Sequence, residues 1–170
     1  MSTTSKRPAS LQDRPWIGSS FDNKRILVLG ESWYGDWGDD RNTDAGYVRA
    51  YLRGALRDGM YTKMAKGSGL SVADFWNSIA FTNFVVWTGT RREDRPTAQM
   101  YRDSVPRLKE LLGSLAPLGV WILGKEQGRY SAPVVHEAGI PFDVATHPTG
   151  YGVTLLELKQ SWERLMKIVG

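Results

Sequence analysis

Four short apolar runs, separated by segments with helical patterning, constrain the fold of this chain more than any other feature. The runs cover residues 26–29, 79–86, 120–123 and 142–145. The first and third stop at a glycine, and the second is rich in β-branched and aromatic residues, as is typical of strands buried on both faces. The order is strand, helix, helix, strand, helix, strand, helix, strand, helix. It predicts an α/β fold, a three-layer αβα sandwich around a mostly parallel four-stranded sheet.

The helical segments differ in how clearly their ends are marked. One helix, capped by Thr43 or Asp44, is predicted over about residues 45–58. Another begins after the capping residue Thr97, and Pro106 is expected to kink or break it. Pro133 makes a long helix unfavourable in its own segment, which is predicted as a short helix or turn. An amphipathic helix over about residues 154–169 is expected to close the fold.

The length of 170 residues suits one domain, predicted over residues 21–170 after a flexible tail at residues 1–20. No apolar run approaches the roughly 20 residues that span a membrane, and the first 15 residues lack the apolar core of a secretory signal. Together with the absence of cysteine, this predicts a cytoplasmic protein with no membrane partner. The oligomeric state is not determined by the sequence, and a monomer is favoured.

Two kinds of metal site can be judged from the residues alone. A chain without cysteine cannot form thiolate zinc sites or cysteine-held iron–sulfur clusters. Asp36, Asp39 and Asp40 follow the first strand, but their spacing misses the calcium-loop pattern. We interpret them as loop acids, of which Asp36 is the best placed to enter a pocket.

Three polar side chains fall at or near the predicted carboxyl ends of strands, where α/β sheets bind ligands. Glu31 follows Gly30, Asn83 lies within the second strand, and His147 follows the fourth strand and is stiffened by Pro148. Each has a plain structural alternative: a solvated turn acid, a hydrogen-bonded strand amide and a histidine at a sheet edge. Because all three are expected at the same edge of the sheet, we favour a ligand-binding or catalytic site there. In such a site the acid would stabilise a cation, the amide would contact the edge of a ring, and the histidine would act as a catalytic group with a pKa near neutral pH.

Four segments in this order resemble the motifs of the uracil-DNA glycosylase superfamily, from about Lys24 to Gly170. "RILVLGESWYG" resembles the first motif, which begins in a glycine at a strand end, and "FTNFVVW" resembles the strand whose asparagine contacts the base. The segment from "RPTAQMY" to "GVWILG" resembles the following loop, helix and strand, and "HPTGYG" resembles the second motif and its DNA-entering loop. The chain departs from the family pattern at Ser32, Trp33, Thr149 and Gly150, and lacks the cysteines of the iron–sulfur branch.

The resemblance implies a glycosylase-like fold and an enzyme that flips a base from DNA and hydrolyses its N-glycosidic bond during base excision repair. It implies that this reaction requires no metal or organic cofactor. Glu31, or Asp36 in its place, would stabilise the sugar cation or orient water, Asn83 would contact the uracil edge, and His147 would donate to the leaving base. Tyr34 would form a pocket wall, Tyr47 would stack on the base, and Tyr151 would fill the vacated stack. The implied substrate-binding residues are Gly30, Ser32, Tyr34, Tyr47 and Asn83, and the implied DNA-binding residues are Arg91, Arg92, Arg95, Thr149, Gly150 and Tyr151. Thr149 and Gly150 would hold DNA phosphate through backbone amides and a hydroxyl.

Two other functions stay open at this point. Because Ser32 and Trp33 replace motif residues, the chain could be an inactive glycosylase-fold protein that binds DNA or a nucleotide. It could also hydrolyse small N-glycosides, in which case free nucleosides should be substrates. The net charge of +4 is compatible with DNA but does not identify it, and the arginine cluster has solvation as its structural alternative.

Overall fold

The computed structural model describes residues 15–34 and 43–170, and within them the fold is α/β with a five-stranded mixed sheet. The strands are β1 (Trp16–Ile17), β2 (Ile26–Ser32), β3 (Ile79–Val85), β4 (Gly119–Leu123) and β5 (Phe142–Ala145). The helices in the described part are α1 (Phe21–Lys24), α2 (Asp44–Leu52), α3 (Gly59–Ser68), α4 (Val72–Ser78), α5 (Ala98–Leu115), α6 (Lys125–Glu137) and α7 (Leu155–Val169).

The sheet order is β1-β3-β2-β4-β5, so all four predicted strands lie in one sheet. Neighbours from β3 to β5 pair in parallel, with Gly30 of β2 opposite Asn83 of β3. The prediction of four strands is wrong by one. Trp16–Ile17 adds an antiparallel edge strand against β3, and the Trp16 indole donates to the Trp76 carbonyl. Residues 16–20 therefore belong to the folded domain and not to a tail.

Helices cover both faces of the sheet, because its central strands are apolar on both sides. One core cluster joins the strands to α2, α3, α4 and α7 around Trp76, Trp121 and Trp162. The other joins them to α1, α5 and α6 around Leu29, Tyr101 and Ile122. None of the helices in the described ranges is both long and apolar enough to cross a bilayer.

Three helix predictions require correction. The helix predicted over residues 45–58 ends at Leu52, because Gly54 takes a left-handed conformation and Asp58 caps α3, a helix that the sequence patterning does not predict. α5 continues through Pro106, and α6 extends over 13 residues through Pro133. Both prolines are exposed, while the opposite faces of these helices pack on the sheet. That packing compensates for the missing backbone hydrogen bonds.

Candidate active site

A cavity of about 670 Å³ opens at the carboxyl ends of β2 and β3 and extends to the loop after β5. The chain leaves β2 toward β3 and leaves β4 toward β5, so the connections of these adjacent strands diverge. Such a divergence opens a crevice in parallel sheets, and ligands bind there. Of the residues predicted for the site, nine line the cavity: Glu31, Ser32, Tyr34, Tyr47, Asn83, Arg92, Arg95, His147 and Thr149.

Glu31 is a buried carboxylate at this crevice, with 4% of its surface exposed. Its Oε1 accepts a hydrogen bond from Arg95 Nη2 at 2.9 Å, and Arg95 itself is mostly exposed. Burial raises the pKa of Glu31, and the Arg95 charge opposes that rise. The buried Tyr101 hydroxyl lies close enough to influence this pKa but makes no hydrogen bond of normal geometry within the described structure. Glu31 is thus a poorly solvated acid that forms an ion pair with Arg95.

Asn83 occupies the adjacent strand and is also buried. Its Nδ2 donates to Asp44 Oδ1 at 2.8 Å, and its amide oxygen lies over Gly30. A Cβ built on Gly30 would lie 2.5 Å from Asn83 Oδ1, so this position requires glycine. Gly30 therefore contributes by leaving room for the amide, not by binding a ligand itself.

His147 is held by its own loop in a defined tautomer. The Thr149 backbone N–H donates to Nδ1 at 3.2 Å, and the Thr149 hydroxyl lies 2.8 Å from the same nitrogen. Nδ1 is therefore an acceptor, and the proton of the neutral ring is on Nε2. Burial, and secondarily the positive charge of Arg95, lowers the pKa of His147 to about 4. At neutral pH the ring is an uncharged hydrogen-bond donor.

The loop after His147 uses its backbone amides internally. The Gly150 N–H donates to the His147 carbonyl at 2.7 Å, and the Thr149 N–H is taken by the imidazole. The expectation that these two amides hold DNA phosphate is not met in this conformation, because they close the turn that positions the ring. Gly150 and Tyr151 lie outside the cavity lining, and Tyr151 is fully exposed at the tip of the loop.

The remaining predicted positions are divided between the cavity mouth and places beyond it. Arg92 and Arg95 line the cavity, whereas Arg91 lies outside the lining and pairs with Asp94 at 3.1 Å. Tyr34 is half-exposed, and the Tyr47 hydroxyl donates to Asp58 at 3.0 Å. Asp36, predicted as a substitute for Glu31, lies outside the described residues. No cluster of three or more potential metal-ligating side chains occurs within residues 15–34 and 43–170.

Sequence reasoning misses Asp44, which supports Asn83 from behind. The sequence makes Asp44 a candidate helix cap, but Thr43 is the cap and the Asp44 carboxylate is buried against β3. Burial raises the pKa of Asp44, while hydrogen bonds from Thr82 and the charge of Arg107 lower it. The sequence does contain a signal that Asp44 is buried, because it lies four residues before Val48 and therefore on the apolar face of the helix.

A second cavity of about 530 Å³ lies between α5 and α6, away from these groups. Its lining is mainly apolar, including Leu112, Val134 and Ile140, with the surface pair Lys109 and Glu137 at 3.8 Å. It contains no buried acid, amide or imidazole in the described structure. Of these two cavities, the larger one at the strand ends is the one lined by such groups.

Comparison with models of known protein families gives no match for this chain, and comparison with curated proteins gives no significant match. Function is therefore inferred from the residues of the cavity.

Proposed function

We propose that this protein is a DNA glycosylase that flips uracil or a related modified base into the larger cavity and hydrolyses its N-glycosidic bond. The observation that carries the proposal is the meeting, at one crevice, of a buried acid, a fixed amide and a neutral histidine, namely Glu31, Asn83 and His147. The volume of about 670 Å³ is within the range of small-molecule sites and exceeds that needed for one base.

Bond cleavage separates charge, and the three groups match that charge. The departing base carries the electron pair of the broken C–N bond, and the sugar becomes oxocarbenium-like. The Glu31 carboxylate stabilises the cation, orients the water that attacks the sugar carbon and accepts the proton that this water loses, which the departed base anion then takes up. The Nε2–H of His147 donates to the base oxygen where negative charge grows. The neutral ring keeps this proton while it donates the hydrogen bond, so the negative charge stays on the departing base.

The flipped base would be recognised by the side-chain amide of Asn83 and by the aromatic side chains that line the cavity. Asn83 offers an acceptor and a second donor proton to a ring edge. Tyr34 and Tyr47 provide apolar surface beside the ring, and Tyr61 packs edge-on against Tyr47 with centroids 5.3 Å apart. Arg92 and the fully exposed Tyr151 are suited to contact the phosphate and the vacated stack, respectively.

The direct test is a panel of oligonucleotides, each carrying one uracil, hypoxanthine, xanthine or undamaged base, scored by alkali cleavage after incubation. We expect release of at least one modified base.

Glu31→Gln preserves side-chain size and removes the charge, so the single-turnover rate should fall by roughly 10²-fold or more with DNA affinity retained. Glu137→Gln, which alters an exposed acid beside the second cavity, is the matched control and should leave the rate unchanged.

One observation favours a second function, DNA or nucleotide binding without hydrolysis. Arg95 already neutralises Glu31 at 2.9 Å, and the first motif contains Ser32 and Trp33. In that case the protein should bind oligonucleotides while every base in the panel stays attached. Release of free nucleobase from nucleosides, with no action on oligonucleotides, would instead indicate a small-molecule N-glycoside hydrolase.

A further inference from the structure

The side-chain amide of Asn83 is confined from two sides. Asp44 Oδ1 accepts from Nδ2 at 2.8 Å, and the amide oxygen lies over Gly30, where no side chain intervenes. Asp44 lies behind Asn83, outside the cavity lining, so it does not itself reach a ligand in the cavity. Its influence on a bound base must pass through the amide.

The Asp44 carboxylate is fixed by further contacts of its own. Its Oδ2 accepts from Thr82 Oγ1 at 2.7 Å and from the Asn83 backbone N–H at 3.0 Å. Arg107 donates to Thr82 Oγ1 at 2.7 Å and to the Asn83 carbonyl at 3.0 Å. The Asp44 carboxylate cannot rotate without breaking the two hydrogen bonds that its Oδ2 accepts. Because a carboxylate only accepts, a flipped Asn83 amide would direct its oxygen at another oxygen.

We propose that Asp44 is a positioning residue that fixes the Asn83 amide in one orientation and thereby determines which base edge the cavity accepts. The inference rests on the proposed function and extends it. In the observed orientation, the acceptor of Asn83 lies on the Gly30 side and its remaining donor proton lies on the Asp44 side. This arrangement matches an edge with a ring N–H beside a carbonyl, as in uracil. The flipped amide would match a ring nitrogen acceptor beside an amino group, as in cytosine.

The substitution Asp44→Asn tests this with almost no change in volume. The introduced amide can accept from Thr82 and the Asn83 N–H with its oxygen, and its NH₂ group then faces Asn83. That favours the flipped Asn83 amide. The ratio of single-turnover excision rates for uracil over cytosine should fall by roughly 10-fold or more, because discrimination by a paired donor and acceptor disappears.

The matched control is Thr82→Val, which removes the hydrogen bond that Thr82 donates to the Asp44 carboxylate and the one it accepts from Arg107, but leaves the hydrogen bond between Asp44 and Asn83. Its uracil-to-cytosine ratio should match that of the unmodified protein, even if its melting temperature falls. An Asp44→Asn protein in which both rates fall together, at an unchanged ratio, would show that Asp44 is only structural. If Asp44→Asn does not fold, Asp44→Ser is used in its place, because this variant also removes the hydrogen bond from Asn83 Nδ2 to Asp44 Oδ1.

A second readout does not depend on catalysis. The side-chain amide protons of Asn83, followed by NMR, should exchange slowly with solvent in the unmodified protein and in Thr82→Val, and faster in Asp44→Asn. Equal exchange in all three proteins overturns the inference. If the unmodified protein excises no base, the proposed function fails, and this measurement alone decides whether Asp44 fixes the amide.

Discussion

The environment of His147 determines its charge at the scale of a single residue. Burial lowers its pKa to about 4 from an ordinary value of 6.5. Between these values the unfolded chain binds more protons than the folded one, so the free energy of unfolding falls as pH decreases from 6.5 to 4. The slope from this one group can reach about 1.4 kcal/mol per pH unit.

Substituting His147 by Gln should remove that contribution. We expect the stability advantage of the unmodified protein over His147→Gln to shrink as pH falls through this window, measured by denaturant unfolding. Comparison with the variant is necessary because the raised pKa of Glu31 contributes with the opposite sign, its stabilisation being lost as pH rises through the folded value. Parallel pH profiles for the two proteins would show that His147 is solvated and not held neutral.

Which residues can be predicted from the sequence depends on the range of the interaction. Glu31, Asn83 and His147 are predicted at one edge because strand ends in a parallel sheet converge, and all three line the same cavity. The ion pair of Arg95 with Glu31 spans 64 positions of sequence, and the hydrogen bond of Asn83 to Asp44 spans 39. Such pairings depend on how loops and helices pack, which local patterning does not encode.

At the scale of elements, α3 connects the helical layer to the loop that positions His147. Lys63 of α3 donates from Nζ to the carbonyls of Pro148 at 2.9 Å and Val153 at 3.1 Å. These two hydrogen bonds bracket the exposed Tyr151. Sequence patterning misses α3, because a polar stretch between two weak helix signals gives little periodicity, whereas the strong amphipathic pattern of α7 predicts that helix correctly.

Lys63→Met should loosen this loop while keeping α3 helical. We expect a decrease of about 1–3 kcal/mol in the free energy of unfolding, since two hydrogen bonds from a charged group are removed at a partly buried site. Hydrogen–deuterium exchange of residues 149–153 should increase. Lys66→Met, at an exposed lysine on the same helix, controls for the charge change. Unchanged exchange of the loop in Lys63→Met would show that Pro148 and its turn hold the loop unaided.

At the scale of the whole molecule, the net charge of +4 predicts a diffuse attraction to DNA, whereas the arginines at the cavity predict phosphate contacts at one place. Arg57, Arg92 and Arg95 line the cavity, so phosphates that flank a flipped base would approach there. Acidic side chains, including Asp58 and Asp94, lie among them. We therefore expect a specific phosphate contact at the mouth of the cavity, and its effect on the salt dependence of binding should be separable from the diffuse attraction that the net charge of the protein exerts on DNA.

Arg92→Gln separates these two contributions. Removing one phosphate interaction reduces the slope of log K against log salt by about 0.7 for single strands and about 0.9 for duplex DNA. We expect a decrease of that size in anisotropy titrations between about 50 and 200 mM salt, and a reduction in affinity that is uniform across base identities, because phosphate contacts carry no sequence information. Lys159→Gln removes the same charge from α7, where Lys159 lies near Glu163 and outside the cavity lining. Equal slope changes in the two variants would mean that binding follows net charge, and that the cavity mouth does not bind phosphate through Arg92.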